Sequence, residues 1–200
     1  MKELIGFDLD SVLAHTEKAI SKCSEDMFGI TLDWDKISSY DFATYPGYTK
    51  EMGDALLKEI ETGKYLDSVR LYDCAHPALG KVWSSDFDIC IITSRPDHLF
   101  VPTVRWLDRH GVTYDRVYLK KSADKHKLIS ELDIKAFVDD RFDIVESIRK
   151  NCGLLVYGIY MVDQPWNRLH NLEGVCRVKD VEEAVDKIIN RRNENGTSTM

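Results

Sequence analysis

Ile5-Gly6-Phe7-Asp8-Leu9-Asp10-Ser11-Val12-Leu13 reads as a short buried strand that ends in two acids, one residue apart. Residues i and i+2 of a strand point to the same face. Asp8 and Asp10 therefore start as neighbours, before the turn that follows rotates Asp10. Two carboxylates at an open strand end repel each other, and a proton, a cation or bulk water has to relieve them. A solvated strand-to-loop junction would also accept this pattern, because Asp favours turns. A second stretch, Lys135-Ala136-Phe137-Val138-Asp139-Asp140, repeats the apolar run that ends in acids. In an open parallel sheet, ligands bind outside the carboxyl ends of the strands. If both strands share one such sheet, four carboxylates converge at one edge. Hard oxygen donors in that number call for a cation such as Mg²⁺.

Outward from these two stretches, the pattern alternates. Asp88-Ile89-Cys90-Ile91-Ile92-Thr93 is a near-continuous apolar run, as in a strand covered on both faces. A helix is expected over 102–110, a short strand over 116–119 and a helix over 124–132. A further helix over 142–150, a strand over 154–161 and a last helix over 181–191 complete the pattern. Alternating strands and helices predict an α/β fold with a doubly wound parallel sheet. Residues 15–75 lack a convincing strand and read as a small, mainly helical insertion over that sheet. Residues 1–14 and 76–192 are then the core. The tail 193–200 carries no core-forming residues and is expected to be disordered.

The composition is that of a soluble globular chain, with 44% apolar and 30% charged residues over 200 positions. A net charge of −7 disfavours a nucleic-acid polymer as ligand, since that binding relies on clustered Lys and Arg. Cys23, Cys74, Cys90, Cys152 and Cys176 are scattered and form no CxxC pair, which suggests neither zinc nor a disulfide frame. With no apolar run long enough to span a bilayer and no signal peptide in view, a cytoplasmic location is expected. Neither a GxxxxGK[ST] nor a GxGxxG motif is present, so an ATP P-loop and a dinucleotide fold are unsupported.

Four strand ends carry hydrophilic groups in order: Asp8 and Asp10, then Thr93 and Ser94, then the lysines of 120–127, then Asp139 and Asp140. Phosphoryl transfer needs such a set. A metal and a lysine offset phosphate charge, and a hydroxyl with nearby backbone N–H groups holds an oxygen. A carboxylate can attack phosphorus to form an aspartyl-phosphate.

In these motifs the chain resembles the haloacid dehalogenase-like phosphatase superfamily, over about residues 5–167. Asp8-Leu9-Asp10-Ser11-Val12-Leu13 matches its first motif and Ile91-Ile92-Thr93-Ser94 its second. Lys125 suits the third, and Phe137-Val138-Asp139-Asp140 the fourth. Ser11 departs from the pattern, since many members have Gly there. Within the superfamily the chain looks most like the 5′(3′)-deoxyribonucleotidase family, through 88–94, 106–111 and 139–144.

The resemblance implies a core of the superfamily's type with the 15–75 insertion as a cap. It implies Asp8 as nucleophile and Mg²⁺ ligand, and Asp10 as general acid/base with its backbone carbonyl on the metal. Thr93 would bind the transferring phosphoryl group, with Ser94 assisting. Lys125 would neutralise charge, though Lys120, Lys121 and Lys127 compete for that role. Asp139 and Asp140 would hold Mg²⁺, with the direct ligand of the two left open. Arg95, Arg141 and the loop 163–168 flank these motifs and are equally readable as ordinary surface.

Six of the chain's twenty aromatic residues fall within positions 28–48. A nucleobase needs a flat apolar wall, and stacking on a ring is worth about 1–3 kcal/mol. Tyr40, Phe42 and Tyr45 are the candidate substrate-facing rings, although a small insertion also needs aromatics for its own core. The expected partner is a small phosphate monoester, a nucleotide by preference, and a homodimer is the one assembly considered. The expected activity is Mg²⁺-dependent hydrolysis of (deoxy)nucleoside monophosphates through a phosphorylated Asp8. The rivals are a phosphatase for another small phosphate such as a sugar phosphate, a non-catalytic nucleotide-binding module, and a phospho-accepting receiver domain. A receiver's order of acids and lysine differs from the order here.

Overall fold

A computed structural model describes residues 2–197. Its centre is a six-stranded sheet built from β1 (Glu3–Phe7), β4 (Phe87–Thr93), β5 (Arg116–Leu119), β6 (Ile134–Asp139), β7 (Gly158–Val162) and β8 (Cys176–Val178). The strand order is β5-β4-β1-β6-β7-β8, and every neighbouring pair is parallel. The chain winds from β1 outward through β4 and β5, then returns to the other side of β1 as β6. The winding direction thus reverses beside β1, which opens a crevice at the carboxyl ends of β1, β4 and β6.

Alternation within the strands supplies two cores. Phe87, Ile89 and Ile91 of β4 pack with Ile5 and Phe7 toward α3 (Ala75–Ser84), α4 (Phe100–Arg109) and α7 (Val181–Thr197). Cys90 and Ile92 face the other way, with Phe137, toward α5 (Lys125–Glu131) and α6 (Phe142–Cys152). Both faces of the sheet are therefore apolar, which is why β4 reads as an unbroken apolar run rather than an alternating one. Gly6 sits where β1 meets β6, and a Cβ there would strike the Phe137 ring.

Between β1 and α3 lies a segment whose buried side chains join the apolar cluster on one face of the sheet. It opens with β2 (Ala14–His15), continues through α1 (Thr16–Phe28) and α2 (Lys50–Ile60), and ends with β3 (Arg70–Leu71). β2 and β3 pair antiparallel, so the segment leaves and rejoins the core at one neck. Gly29 closes α1 with φ 67°, its N–H donating to Glu25 O, a left-handed stop that glycine adopts without steric cost. Thr49 caps α2, its hydroxyl accepting from Met52 N at 3.3 Å.

Several sequence expectations need correction. β2 and β3 lie inside a stretch read as strandless, because two-residue strands carry no periodic signal. β8 was not expected at all, since Cys176-Arg177-Val178 is too short and mixed to read as a strand. β7 starts at Gly158 rather than at 154, and Leu154 is fully exposed. The amides of Leu155 and Val156 turn back to Cys152 O at 2.8 and 3.1 Å, finishing α6 instead of starting a strand. α4 begins at Phe100, with Pro102 in its first turn, where no intrahelical N–H is required. α7 continues to Thr197, beyond the last apolar contact at Ile189, so the tail expected from Asn193 is helical as far as it is described. Residues 198–200 of that tail lie outside the described residues.

Candidate active site

The ends of β1, β4 and β6 bring the predicted residues together. Asp8 leaves β1 with its N–H on Val138 O at 2.8 Å, which locks it beside β6. The next residues make a tight loop in which the amides of Leu13 and Ala14 both donate to Leu9 O, at 2.9 and 2.8 Å. Ser11 sits in this loop at φ 60°, in the left-handed region, and its N–H donates to Ala14 O at 2.8 Å. The position that many superfamily members fill with Gly is thus one where an L side chain is strained. Ser11→Gly is expected to stabilise the fold by up to about 1 kcal/mol, read by urea denaturation. A loss of stability would contradict this account of the loop.

Lys125 opens α5 and is fully buried, while Lys127 pairs at the surface with Asp124. The Lys125 Nζ lies 2.7 Å from Asp8 Oδ1 and 2.8 Å from Asp139 Oδ2. Burial by itself would lower the lysine's pKa, but the charges of Asp139 and Asp8 raise it above its ordinary value. The Asp8 carboxyl is raised to about 7: burial is the main cause, the Lys125 charge opposes it, and Asp139 and Asp10 add to it. Asp140 is also raised well above the usual carboxylate range, mainly by burial and then by Asp139 and Asp8. Among the described residues, carboxylate oxygens of Asp8, Asp139 and Asp140 lie within 4.8 Å of one another, all buried.

The donor set fits a hard divalent cation. Three buried carboxylates share one lysine, so negative charge is left uncompensated. Asp139 spends Oδ2 on Lys125 and Oδ1 on the Arg141 N–H at 2.9 Å. Asp140 spends only Oδ2, on the Trp166 indole N–H at 2.8 Å. Oδ2 of Asp8 and Oδ1 of Asp140 receive no hydrogen bond from the described residues, and these are the oxygens open to an ion.

Asp10 stands apart from that trio. Its carboxylate is gripped by Arg95, with Nε to Oδ2 at 3.0 Å and Nη2 to Oδ1 at 2.7 Å. The Thr16 hydroxyl donates to Oδ1 at 2.7 Å and the Thr93 hydroxyl to Oδ2 at 3.1 Å. Burial would raise the Asp10 pKa, but Arg95 and the two hydroxyls outweigh it, and the pKa is lowered. Both oxygens of the Asp10 carboxylate are thus engaged by protein donors. Thr93, expected to be the main phosphate-binding hydroxyl, is wholly buried with its hydroxyl on Asp10 and does not line the crevice; Ser94, expected only to assist, faces it, its hydroxyl 2.9 Å from that of Ser122.

A cleft of about 380 Å³ opens above these groups. Asp8, Asp10, Asp140, Ser94, Arg95 and Arg141 form its floor and rim. The opposite wall is mainly apolar: Ile20 from α1, Leu57 and Ile60 from α2, then Tyr65, Leu66 and Val69, with Thr16 and Glu61 as its polar members. Of the three rings expected to face substrate, Tyr40 lines the cleft, under the Arg141 guanidinium at 5.0 Å. Phe42 and Tyr45 are buried in the apolar core and do not line it. The core took them, and Tyr65 stands in the wall instead.

Arg95, read from sequence as equally consistent with surface, proves to be the main partner of Asp10. Trp166 and Asn167 carried only the signal of their loop, which follows a core strand at the crevice edge. Trp166 holds Asp140 Oδ2, and the Asn167 side-chain amide donates to Asp140 O at 2.7 Å.

Comparison with known proteins agrees with this geometry. The family model described as "5′ nucleotidase, deoxy (pyrimidine), cytosolic type C protein" matches residues 2–194. No curated protein sequence matches the chain. Among solved structures, one described as a predicted phosphatase from Clostridium acetobutylicum superposes with a TM-score of 0.67 at 18% identity, covering 95% of this chain and 99% of that one. A haloacid dehalogenase-like family hydrolase from Streptococcus pneumoniae does so with a TM-score of 0.67 at 14% identity, covering 94% and 98%. A haloacid dehalogenase phosphatase from Thermococcus onnurineus gives 0.59 at 17% identity, covering 94% and 98%. At these identities the likeness is one of fold.

Proposed function

The chain belongs to the 5′ nucleotidase, deoxy (pyrimidine), cytosolic type C family, and from that premise we propose that it is a Mg²⁺-dependent phosphomonoesterase of (deoxy)nucleoside monophosphates. The observation that carries this reading is the pairing of an acid–lysine floor with a mainly apolar wall across one cleft. Asp8, Asp139 and Asp140 would hold Mg²⁺, which would supply positive charge against the phosphate oxygens.

In the first half-reaction an Asp8 carboxylate oxygen attacks phosphorus. The new O–P bond forms as the bond to the nucleoside oxygen breaks, giving an aspartyl-phosphate. Asp10 gives its proton to the departing oxygen. In the second half, water attacks the same phosphorus, Asp10 takes the water's proton, and the Asp8 carboxylate leaves with its electron pair. The Arg95 fork that keeps Asp10 ionised suits this second role. The first role needs a proton on Asp10, which the Arg95 fork opposes. Lys125 keeps Asp8 oriented and offsets the charge that phosphate brings, and Ser94 offers a hydroxyl to the phosphoryl group.

Residues 15–75, in this reading, act as a cap whose inner wall meets the nucleoside. The side chains of Ile20, Leu57, Ile60, Leu66 and Val69 offer no hydrogen bonds. A nucleobase stacked near Tyr40 or Tyr65 suits such a wall. A sugar hydroxyl turned to these five side chains would go unpaired, at a cost of about 1–3 kcal/mol for each buried group, and would have to reach Thr16 or Glu61 instead. The five free cysteines suit a reducing compartment, and we place the protein in the cytoplasm. Among the described residues, no helix is long and apolar enough to cross a membrane.

The test is phosphate release from 5′- and 3′-deoxy- and ribonucleoside monophosphates beside a sugar-phosphate panel, each with Mg²⁺ and with EDTA. The expected result is release from nucleotides that EDTA abolishes. Release from sugar phosphates alone would discard the nucleotide assignment, and release undiminished by EDTA would discard the metal.

A further inference from the structure

We infer that Trp166 is a positioning residue: it fixes the metal-facing orientation of Asp140 and ties that carboxylate to the segment above the cleft. The inference rests on the reading of Asp140 as a ligand of the divalent ion.

Trp166 and Asp140 are both buried, and the indole N–H donates to Asp140 Oδ2 at 2.8 Å. This bond engages one carboxylate oxygen and turns the other, Oδ1, away from protein donors. The Asp140 backbone is held as well. The Asn167 side-chain amide donates to Asp140 O and to Val162 O, both at 2.7 Å. Arg177 in turn clamps Asn167, with Nη2 on its carbonyl at 3.0 Å and Nη1 on Asp163 Oδ1 at 2.8 Å. The loop after β7 is therefore a rigid bracket around Asp140. Polar partners of this kind fix the orientation of metal-binding side chains, and their loss costs about 10–100-fold in ion affinity.

The other face of Trp166 meets the inserted segment. The Trp34 ring packs edge-on against it with centroids 5.7 Å apart, and the Tyr40 ring does so at 6.0 Å. Trp34 is itself anchored to α1 through its indole N–H on Ser21 Oγ at 2.8 Å. Tyr40 also lines the substrate cleft. One indole thus touches a metal-side carboxylate at its nitrogen and the cleft-covering segment at its ring.

The experiment is a Mg²⁺ titration followed by calorimetry and by the ¹⁵N–¹H resonances of the four tryptophan indoles, on the wild type and on Trp166→Phe and Asp140→Asn. Phe keeps most of the ring packing and removes the N–H. In the wild type, the resonance that is missing from Trp166→Phe should move as the ion binds. Trp166→Phe should bind Mg²⁺ about 10–100-fold more weakly, and Asp140→Asn should bind it more weakly still. A merely structural Trp166 would lower the melting temperature and leave ion affinity unchanged, which would overturn the inference. A Trp166 resonance, assigned in the wild type through its contacts with the Trp34 and Tyr40 rings, that stays fixed while the ion binds would overturn it too, and that measurement does not depend on the variant folding. If the wild type binds no ion, or Asp140→Asn binds it as tightly as the wild type, the ligand assignment itself fails. Binding that Asp140→Asn weakens and Trp166→Phe does not would refute this inference alone.

Discussion

Asp8→Asn is expected to reduce turnover by at least about four orders of magnitude while the fold stays intact. The amide retains an oxygen that can accept from Lys125, so the buried lysine keeps a partner at that position. It also removes one negative charge from a cluster in which Asp139 and Asp10 both push the Asp8 carboxyl upward. Thermal stability without metal should therefore stay within a few degrees of the wild type. An amide cannot form the acyl phosphate, so the first half-reaction stops. Steady-state phosphate release at saturating Mg²⁺ reads the first part, and thermal denaturation in EDTA reads the second. Near-native turnover would end the covalent mechanism. Loss of the fold would mean that the Asp8 charge is structural.

The second large effect falls on stability. Lys125→Met should destabilise the protein by about 3–5 kcal/mol, because it strands the buried Asp8 and Asp139 carboxylates without their shared cation. For a chain of this size, each kcal/mol lowers the melting temperature by about 2–4 °C. The expected drop is thus about 6–20 °C, measured in EDTA. Removing one partner of a buried ion pair costs far more than removing an exposed one. Lys127→Met, at the exposed pair with Asp124, is the matched control and should cost less than about 1 kcal/mol. Equal effects at the two lysines would contradict the placement of Lys125 at the centre of the acid cluster.

The sheet and the floor of the site were legible because both are written locally. Apolar runs that end in acids or hydroxyls mark strand ends, and parallel winding carries those ends to one edge without further information. Asp8, Asp139, Asp140 and Lys125 meet for that reason. The wall was less legible, since a ring in a small insertion can serve a core or a ligand with the same sequence signal. Phe42 and Tyr45 went to the core, and Tyr40 went to the cleft. Arg95 and Trp166 were hardest to read. Each acts across more than 25 positions of sequence, on Asp10 and Asp140 respectively, and only the closing of the sheet edge brings the pairs together. Ser11 shows the converse: a residue that departs from a motif still adopts the motif's left-handed turn, at a cost in strain.

The most direct test of the account is a single-turnover reaction with nucleoside monophosphate labelled in its phosphate, quenched in acid within milliseconds and mapped by peptide. The account predicts label bound covalently to the peptide that holds Asp8, absent from Asp8→Asn and decaying at the rate of phosphate release. Label on another residue, or release of labelled phosphate by Asp8→Asn at the wild-type rate, would contradict it.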